Sequence, residues 1–439
     1  MPTPNGMAPA PNARHSLTRS GSFRFILLLG LLDAFGPLGI DMYLPAFPQI
    51  EQDLQAHGGA MQLTLSLFLA GLAIGQLICG PISDRVGRRG PLLYGSVAFA
   101  AASLLCAFST SIEALIAARF LMGLAGSTGM VVARAVVRDS FEEAESARVY
   151  SLLMLVIGIA PIISPTFGNW LMQFGSWPVI FWALAAFGCV CGIAVALDLP
   201  ETLPVERRSQ TSLLTIGRHY VEMLVDFRFM GYALPVSFAL GQIFAYVASA
   251  PSLFMEIYGL SPNAFTLTFA SNAIGLIGAA QVNRWLTRQL DTHVILRGAL
   301  LVNVASSLLL PFLASTGLGG FPVFLGTLFV CLTSLGFIFP NATAAVMAPF
   351  PNQAGAASAL LGMLQFAVGA GTGAVVGIFA DGTPLPMAWT MAACATLSLL
   401  VALKVEWQRR QAIETDAAQS PDSSSKQTPV ACLSKDNQD

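Results

Sequence analysis

The chain repeats one pattern along most of its length, a long apolar run followed by a short polar connection. A bilayer core of about 30 Å is crossed by roughly 20 residues of α-helix. A helix is also the form in which a single segment satisfies its backbone hydrogen bonds within hydrocarbon. The sequence therefore predicts an all-α integral membrane protein with twelve transmembrane helices, called spans one to twelve. They cover residues 23–47, 61–82, 91–109, 112–137, 149–171, 177–197, 230–251, 264–286, 294–315, 321–343, 355–380 and 386–405.

One connection is much longer than the others and divides the spans into two sets of six. The predicted organisation is an N-terminal tail (1–22), an N-terminal six-helix bundle (23–197), a linker (198–228), a C-terminal six-helix bundle (229–406) and a disordered tail (407–439). Within the linker, an amphipathic pattern predicts a short helix on the membrane surface. Its apolar residues are Leu213, Leu214, Tyr220, Val221, Leu224 and Val225.

The basic residues predict the orientation of the chain in the membrane. Of the 22 Lys and Arg residues, all but Arg119 and Arg134 fall in segments that share one side of the membrane. The loops on the other side hold acidic residues and no basic ones. Because cytoplasmic loops carry the excess of Lys and Arg, we expect both termini, the linker and the tail to be cytoplasmic.

Several function classes are excluded by what the sequence lacks. Only 10% of residues are charged, which is far below a soluble domain. No lysine stands in a phosphate-binding glycine loop, so this chain is not itself an ATP-driven pump. Its four histidines lie in tails or loops, and its cysteines form no metal-type cluster. We expect no metal, no cofactor apart from a proton gradient, and no nucleic-acid partner.

Ionisable residues inside the apolar runs are the informative ones, because a charge there costs at least about 2.5–3.5 kcal/mol on insertion scales. They are Asp33, Asp41, Arg119 and Arg134, of which Arg134 is close enough to the inner end of span four to reach the interface. Asp33 lies roughly 15 Å into span one, near the midplane. Asp41 and Arg119 lie at a similar depth nearer the outer surface.

This distribution predicts an Asp41–Arg119 ion pair and an unpaired Asp33. A buried acid without a partner takes up and releases protons near neutral pH. Asp33, Asp41 and Arg119 are therefore the predicted proton-coupling residues. Two plainer interpretations stay open, namely a purely structural Asp41–Arg119 pair and an Asp33 that faces a wet cavity without a coupling role.

Glycine and proline interrupt two of the spans. Span one carries two glycines and two prolines between residues 36 and 45, and broken helices around a midplane acid are typical of transporter sites. Span five carries Pro161 and Pro165 between Gly158 and Gly168, and prolines in that position remove backbone hydrogen bonds and bend a helix.

Polar, aromatic and methionine side chains at middle depth predict a largely apolar pocket with a few polar groups. Each of these residues, taken alone, is more often a helix-packing residue. The candidate pocket residues are Tyr43, Met130, Met154, Gln242, Tyr246, Asn272 and Gln365.

The connection after span two carries the most specific motif of the chain. Its order is G-x-x-x-D-R-x-G-R-R, and this resembles the G-x-L-x-D-R-x-G-R-[RK] signature of the major facilitator superfamily at the same loop. The resemblance implies the two-half major facilitator fold and a conformational gate at this loop. Asp139, just after span four, is the predicted partner of the arginines. The motif residues are Gly80, Asp84, Arg85, Gly87, Arg88 and Arg89.

Other motifs resemble one branch of that superfamily. The stretch R-F-L-M-G (119–123) resembles the span-four arginine motif of proton-coupled members. The stretch P-I-I-S-P-T-F-G-N (161–169) resembles the G-P-x-x-G-G antiporter motif, but Ser164 and Asn169 stand where the pattern has glycine. Segments 39–46, 75–84 and 200–203 are similar to the Bcr/CflA drug-efflux family, whose members are associated with export of bicyclomycin, chloramphenicol and related compounds. The resemblance spans residues 23–405.

Three function hypotheses follow. The leading one is a monomeric proton/drug antiporter of the bacterial inner (plasma) membrane that works by alternating access. Its partners would be protons, the lipid bilayer and small amphiphilic antibiotics such as chloramphenicol- or bicyclomycin-like compounds. The alternative is a proton-coupled symporter that imports a small metabolite, which predicts a more polar pocket. A membrane enzyme or receptor would need a catalytic cluster or a signalling domain, and the sequence has neither.

Overall fold

The computed structural model describes residues 19–350 and 353–419, and the regular elements of this part of the chain are helical. Eleven helices are long and apolar enough to cross a membrane. A twelfth span is formed by two helical segments, Phe23–Asp33 and Phe35–Asp53, that are bent by 43° at a break between them. The all-helical membrane architecture is thus confirmed, and the span count reaches twelve when the bent pair is one span.

The helices are labelled in chain order. Span one corresponds to α1 with α2 and α3. Spans two to six correspond to α4, α5, α6, α7 and α8, and spans seven to twelve to α10 through α15. The bounds are α1 (Arg19–Asp33), α2 (Phe35–Asp41), α3 (Phe47–Asp53), α4 (Ala60–Val86), α5 (Arg89–Ala107), α6 (Ile112–Ser140), α7 (Glu143–Leu171), α8 (Pro178–Asp198), α9 (Leu213–Val225), α10 (Phe227–Pro251), α11 (Pro262–Leu286), α12 (Thr292–Thr316), α13 (Gly320–Met347), α14 (Ala354–Ile378) and α15 (Leu385–Gln419).

Each half is a helical bundle with its own internal packing. In the N-terminal half, α4 and α5 both pack along α6, and α8 packs along α5. In the C-terminal half, α10 packs against α14, α15 and α13, while α12 packs against α13 and α15. Many of the large apolar side chains that remain exposed, such as Leu197 and Leu267, lie on the membrane-crossing helices, as is expected of surfaces that face lipid.

The two halves meet mainly where α4 packs against α14 and where α7 packs against α11. At the ends of α4 and α14 that lie away from the linker, which are the predicted outer ends, the backbone of Gly59 contacts the carbonyl of Gly377 so closely that a Cβ on Gly59 would overlap it. The Asn169 side chain of α7 donates a hydrogen bond to Asn263 Oδ1 of α11 at 2.7 Å. Both contacts join the predicted outer ends of these helix pairs.

The ends of the chain differ in part from the prediction. Most of the N-terminal tail (1–18) and the last residues (420–439) lie outside the described residues. The predicted tail begins at residue 407, but α15 continues to Gln419. Residues 406–419 are rich in Glu, Gln, Arg and Ala and contain neither Pro nor Gly. A segment of strong helix formers therefore extends the last span beyond its apolar part.

The linker contains the predicted helix as α9. Leu214, Val221 and Val225 are exposed on it, whereas Met223 is buried against the bundle. The placement of this helix at the membrane surface stays a prediction.

Candidate functional site

The break in the first span lies directly at Asp33. α1 ends at Asp33, and α2 begins at Phe35. Pro37 stands four residues after Asp33, and a proline ring clashes with the carbonyl four residues before it and donates no N–H. The helix therefore cannot run regularly through Asp33, whose side chain lies at the joint between two helices.

Asp33 is fully buried, and its nearest cation is Arg134 of α6. Arg134 Nη2 lies 3.6 Å from Asp33 Oδ1, which is an ion pair but too long for a hydrogen bond. Neither carboxylate oxygen of Asp33 has a hydrogen-bond partner among the described residues. The expectation of an unpaired Asp33 is therefore wrong, because Arg134 turns toward it rather than only toward the interface.

Arg119 is also fully buried, but it is held by aromatic rings rather than by Asp41. Its guanidinium carbon lies 4.1 Å from the centre of the Tyr43 ring and 4.2 Å from that of Phe68. Such cation–π contacts stabilise a buried cation. Nε and Nη2 of Arg119 have no acceptor within the described part of the chain, and no Asp41–Arg119 ion pair forms there. The predicted pairing of these two residues is therefore corrected.

Asp41 is the last residue of α2 and is buried. Two of the pocket candidates, Tyr246 and Asn272, lie on α10 and α11 of the C-terminal half. The Tyr246 oxygen accepts a hydrogen bond from Asn272 Nδ2 at 3.0 Å, and the Tyr246 ring stacks on Phe269 with centroids 5.5 Å apart. The structure thus brings Tyr246 and Asn272 together within the C-terminal half.

The remaining pocket candidates do not form one group. The prediction that Gln242 lines the pocket is corrected, because this side chain is fully buried inside the C-terminal half. There it donates a hydrogen bond to Asn303 Oδ1 at 3.1 Å and accepts one from Ser307. Met130 is buried beside Gly36, and the Tyr43 hydroxyl is bonded to Thr64 at 3.0 Å. Met154 is exposed on α7, and Gln365 is half-buried on α14.

The loop between α4 and α5 forms a charge network around Arg88. Arg88 is buried; its Nη1 pairs with Asp84 at 2.6 Å and its Nε donates to Asp139 Oδ2 at 2.7 Å. Burial lowers the pKa of Arg88, but Asp139 and Asp84 outweigh it and raise the pKa overall. Asp139, the predicted partner of the motif arginines, is thus bonded to Arg88. Arg85 is exposed, and Gly80 lies one turn before Asp84 on α4.

Glu201 completes this network. Its role was not predicted from the sequence. Its carboxylate accepts from the backbone N–H of Arg88 at 2.8 Å and of Arg89 at 3.3 Å, 113 and 112 residues away. It therefore caps the N-terminus of α5, where a negative charge is favourable. Gly87 has a φ of 102° and lies so close to Glu201 that a Cβ would overlap its carboxylate.

A backbone hydrogen bond also ties the linker to the same loop. The backbone N–H of Ser209 donates to the Asp84 carbonyl at 2.8 Å. Burial and the nearby Asp84 carboxylate raise the pKa of Tyr220, on α9, to about 12. The signal that could have found this arrangement was the acid in segment 200–203, placed just beyond the end of span six on the side of the gating motif.

The antiporter-motif helix α7 is one helix that contains both Pro161 and Pro165. Gly168 lies so close to the Met42 carbonyl that a Cβ would overlap it, and Gly158 faces Ile277 of α11. Asn169, which replaces a glycine of the family pattern, makes the bond to Asn263. α7 therefore contacts both the broken first span and the other half.

Two bundles of membrane-crossing helices that meet beside buried charges have the architecture of a secondary transporter. The sequence model of the Major Facilitator Superfamily matches residues 29–374. The chain belongs to this superfamily, and it is a transporter and not an enzyme.

Similar proteins support a narrower assignment of the chain within this superfamily. The chain is 38% identical over 389 residues to an uncharacterized MFS-type transporter, YdgK, of Bacillus subtilis, covering 88% of this chain and 96% of the relative. It is 32% identical to a bicyclomycin resistance protein homolog of Haemophilus influenzae, covering 87% and 96%. It is 30% identical to the multidrug resistance protein MdtL of Salmonella heidelberg, covering 78% and 85%. The resemblance to the Bcr/CflA-type transporters is confirmed.

A solved structure agrees on the fold. The D-xylose-proton symporter matches 87% of this chain and 96% of its own, with a TM-score of 0.69 at 13% identity. At that identity the match shows the fold alone.

Proposed function

We propose that this transporter is a proton/drug antiporter that exports small amphiphilic antibiotics, such as chloramphenicol- or bicyclomycin-like compounds, by alternating access. The observation that carries the proposal is the buried Asp33 at the break of span one, which has one cation 3.6 Å away and no hydrogen bond among the described residues. A carboxylate in that setting changes its protonation state at modest free-energy cost. The names of two relatives, a bicyclomycin resistance homolog and a multidrug resistance protein, support drugs as the cargo.

In the proposed cycle, Asp33 is ionised and paired with Arg134 when the cavity faces the cytoplasm and drug binds. After the halves rock, Asp33 takes a proton from the outer side, and the drug leaves. Moving one positive charge inward across a membrane potential of 100 mV releases about 2.3 kcal/mol. This free energy supports a drug concentration ratio of about fiftyfold across the membrane for each proton. Arg119 keeps the neighbouring helix ends together through Tyr43 and Phe68.

Asp41 is proposed as the residue that passes protonation on to the contact between the halves. It is buried, and in this proposal its carboxyl group approaches Tyr246 and Asn272 of the opposite half, which are hydrogen-bonded to each other. The Oδ1 of Asn272 has no partner in the described residues. A protonated Asp41 has a hydrogen to donate across the boundary, whereas an ionised Asp41 does not.

The loop around Arg88 is proposed as the cytoplasmic gate. The Asp84–Arg88–Asp139 network and the Glu201 cap join the ends of α4, α5 and α6 to the linker. The proposed setting is the bacterial inner membrane, as a monomer, with both termini in the cytoplasm, in agreement with the basic residues on that side.

The test is drug resistance in an efflux-deficient bacterial strain that expresses the chain. Asp33→Asn should abolish resistance to the transported antibiotics, while the amount of protein in the membrane stays unchanged. Asp381→Asn, in an exposed outer loop, is the matched control and should keep full resistance.

A protonophore should remove the protection given by the unchanged chain. Resistance that survives both Asp33→Asn and the protonophore would reject proton-coupled export through Asp33. Drug uptake instead of extrusion when an inward proton gradient is imposed on vesicles in the native orientation would support a symporter.

A further inference from the structure

An open groove runs along the outside of the N-terminal half, between α4 and α5. Both helices pack along α6 but touch each other at few positions, so they leave a groove of about 870 Å³ whose floor is α6. Its walls carry exposed apolar side chains, among them Ile78, Ile82 and Val86 of α4 and Tyr94 of α5. The groove plays no part in the proton-coupling site.

The lining of the groove favours hydrocarbon. Small residues of α5, such as Gly95, Ala98 and Ala101, give the groove its depth. Cys79 and Thr128 are polar, but they are bonded to each other at 3.3 Å. Both walls lie within membrane-crossing helices, so the space opens to lipid.

The length of the groove suits one leaflet of the bilayer. Along α5 it extends from Gly90, at the cytoplasmic end, to Leu105. Fifteen steps of helix correspond to roughly 22 Å. One leaflet contributes about half of a hydrocarbon core of about 30 Å, so an acyl chain that enters at the cytoplasmic end fits inside the groove.

The cytoplasmic end of the groove carries an exposed arginine, Arg85. Arg85 follows Ile82 by three residues and Ile78 by seven, so it lies on the same face of α4 as these groove residues. It is exposed, and it forms no ion pair with any residue that the structure describes. Arg88 is committed to Asp84 and Asp139, and Arg89 donates to the Ala196 carbonyl.

We propose that this groove binds an anionic phospholipid of the cytoplasmic leaflet, with an acyl chain between α4 and α5 and its phosphate at Arg85. Arginine and phosphate form strong charge-assisted hydrogen bonds, and basic residues at this surface attract anionic lipids. The lipid joins the two helices that flank the gating loop. This proposal is independent of the transported substrate.

The experiment uses the full chain in lipid nanodiscs that contain a trace of phosphatidylglycerol with a photoreactive diazirine in its acyl chain. After irradiation, labelled positions are mapped by mass spectrometry. Labels should concentrate on the groove faces of α4, α5 and α6. Ala98→Phe or Ala101→Phe, which fill the groove, should reduce that labelling at least fivefold. Val97→Phe, at the adjacent exposed position outside the groove, is the control and should not.

The proposed contact between the lipid phosphate and Arg85 is tested by removing the charge of the arginine. Arg85→Gln should reduce groove labelling by phosphatidylglycerol about fivefold, the effect of one basic residue at an anionic surface. Arg284→Gln, at the exposed end of α11, is the matched control. A phosphatidylcholine probe with the same acyl chain should label the groove several-fold less. Labelling spread evenly around the bundle, labelling unchanged by both groove-filling variants, or equal labelling by the two lipids would each overturn the proposal.

Discussion

Arg134 and Asp33 are held 3.6 Å apart without a hydrogen bond, so the cation favours the ionised carboxylate without fixing it. Without Arg134, Asp33 would hold its proton more tightly and would release it into the cytoplasm only at a higher pH. We expect Arg134→Gln to move the pH profile of drug export toward alkaline pH, measured in proteoliposomes at a fixed pH difference. Arg148→Gln, an exposed arginine of α7, should leave the profile unchanged. An unshifted profile in Arg134→Gln would show that this arginine does not act on the coupling carboxylate.

At this scale the sequence identifies the charged residues but not how they pair. Charges inside apolar runs are rare, so Asp33, Asp41, Arg119 and Arg134 could be found by inspection. Matching them by depth alone paired Arg119 with Asp41. Pairing also depends on how far each helix is rotated about its axis and on which aromatic rings surround it. Tyr43 and Phe68 occupy the space around Arg119, and Arg134 is the arginine that faces Asp33.

Among the elements, α5 depends on a cap supplied by a distant segment. Glu201→Ala would leave the backbone N–H groups of Arg88 and Arg89 without their carboxylate acceptor. Loss of such a cap costs about 0.5–2 kcal/mol, so we expect a lower midpoint of thermal unfolding and weaker export. Glu206→Ala, an exposed acid of the same linker, should change neither quantity. Equal stability of the two variants would contradict the capping role.

The outer contact between α4 and α14 offers a second test at the level of elements. Gly58 and Gly59 both have a positive φ, of 60° and 76°, but only Gly59 lies against the Gly377 carbonyl. Alanine pays roughly 1–2 kcal/mol for the left-handed conformation at either position, whereas only Gly59→Ala also pushes α14 away. We expect Gly59→Ala, and not Gly58→Ala, to increase the distance between spin labels on the outer loops next to α4 and α14. No difference between these two variants would mean that the contact does not hold the outer side closed.

The elements themselves were predicted well where the bilayer sets their length. Twelve apolar runs correspond to eleven long helices and one bent pair. The last span was predicted too short, since hydropathy marks where lipid ends and not where a helix ends. Residues 407–419 continue α15 by helix propensity alone. The Glu201 cap was missed because its partners lie more than a hundred residues away, a separation at which no local pattern operates.

At the scale of the whole molecule, the two halves touch along α4 with α14 and along α7 with α11. Outer contacts occur in both pairs, at Gly59 with Gly377 and at Asn169 with Asn263. Alternating access requires that such contacts open when the site turns outward. The same helices would then have to part in every transport cycle.

This requirement can be tested by joining α7 to α11 at their outer ends. Asn169→Cys with Asn263→Cys places thiols where the side chains are now hydrogen-bonded at 2.7 Å, and a short thiol-reactive cross-linker with a cleavable disulfide should bridge them. We expect cross-linking to abolish export almost completely and reduction to restore it, because the outer mouth cannot open while α7 and α11 are joined. Each single variant, treated identically, controls for the native cysteines and should keep its export. Continued export by a fully cross-linked population would mean that the outer ends of α7 and α11 need not separate, and that the drug leaves by another route.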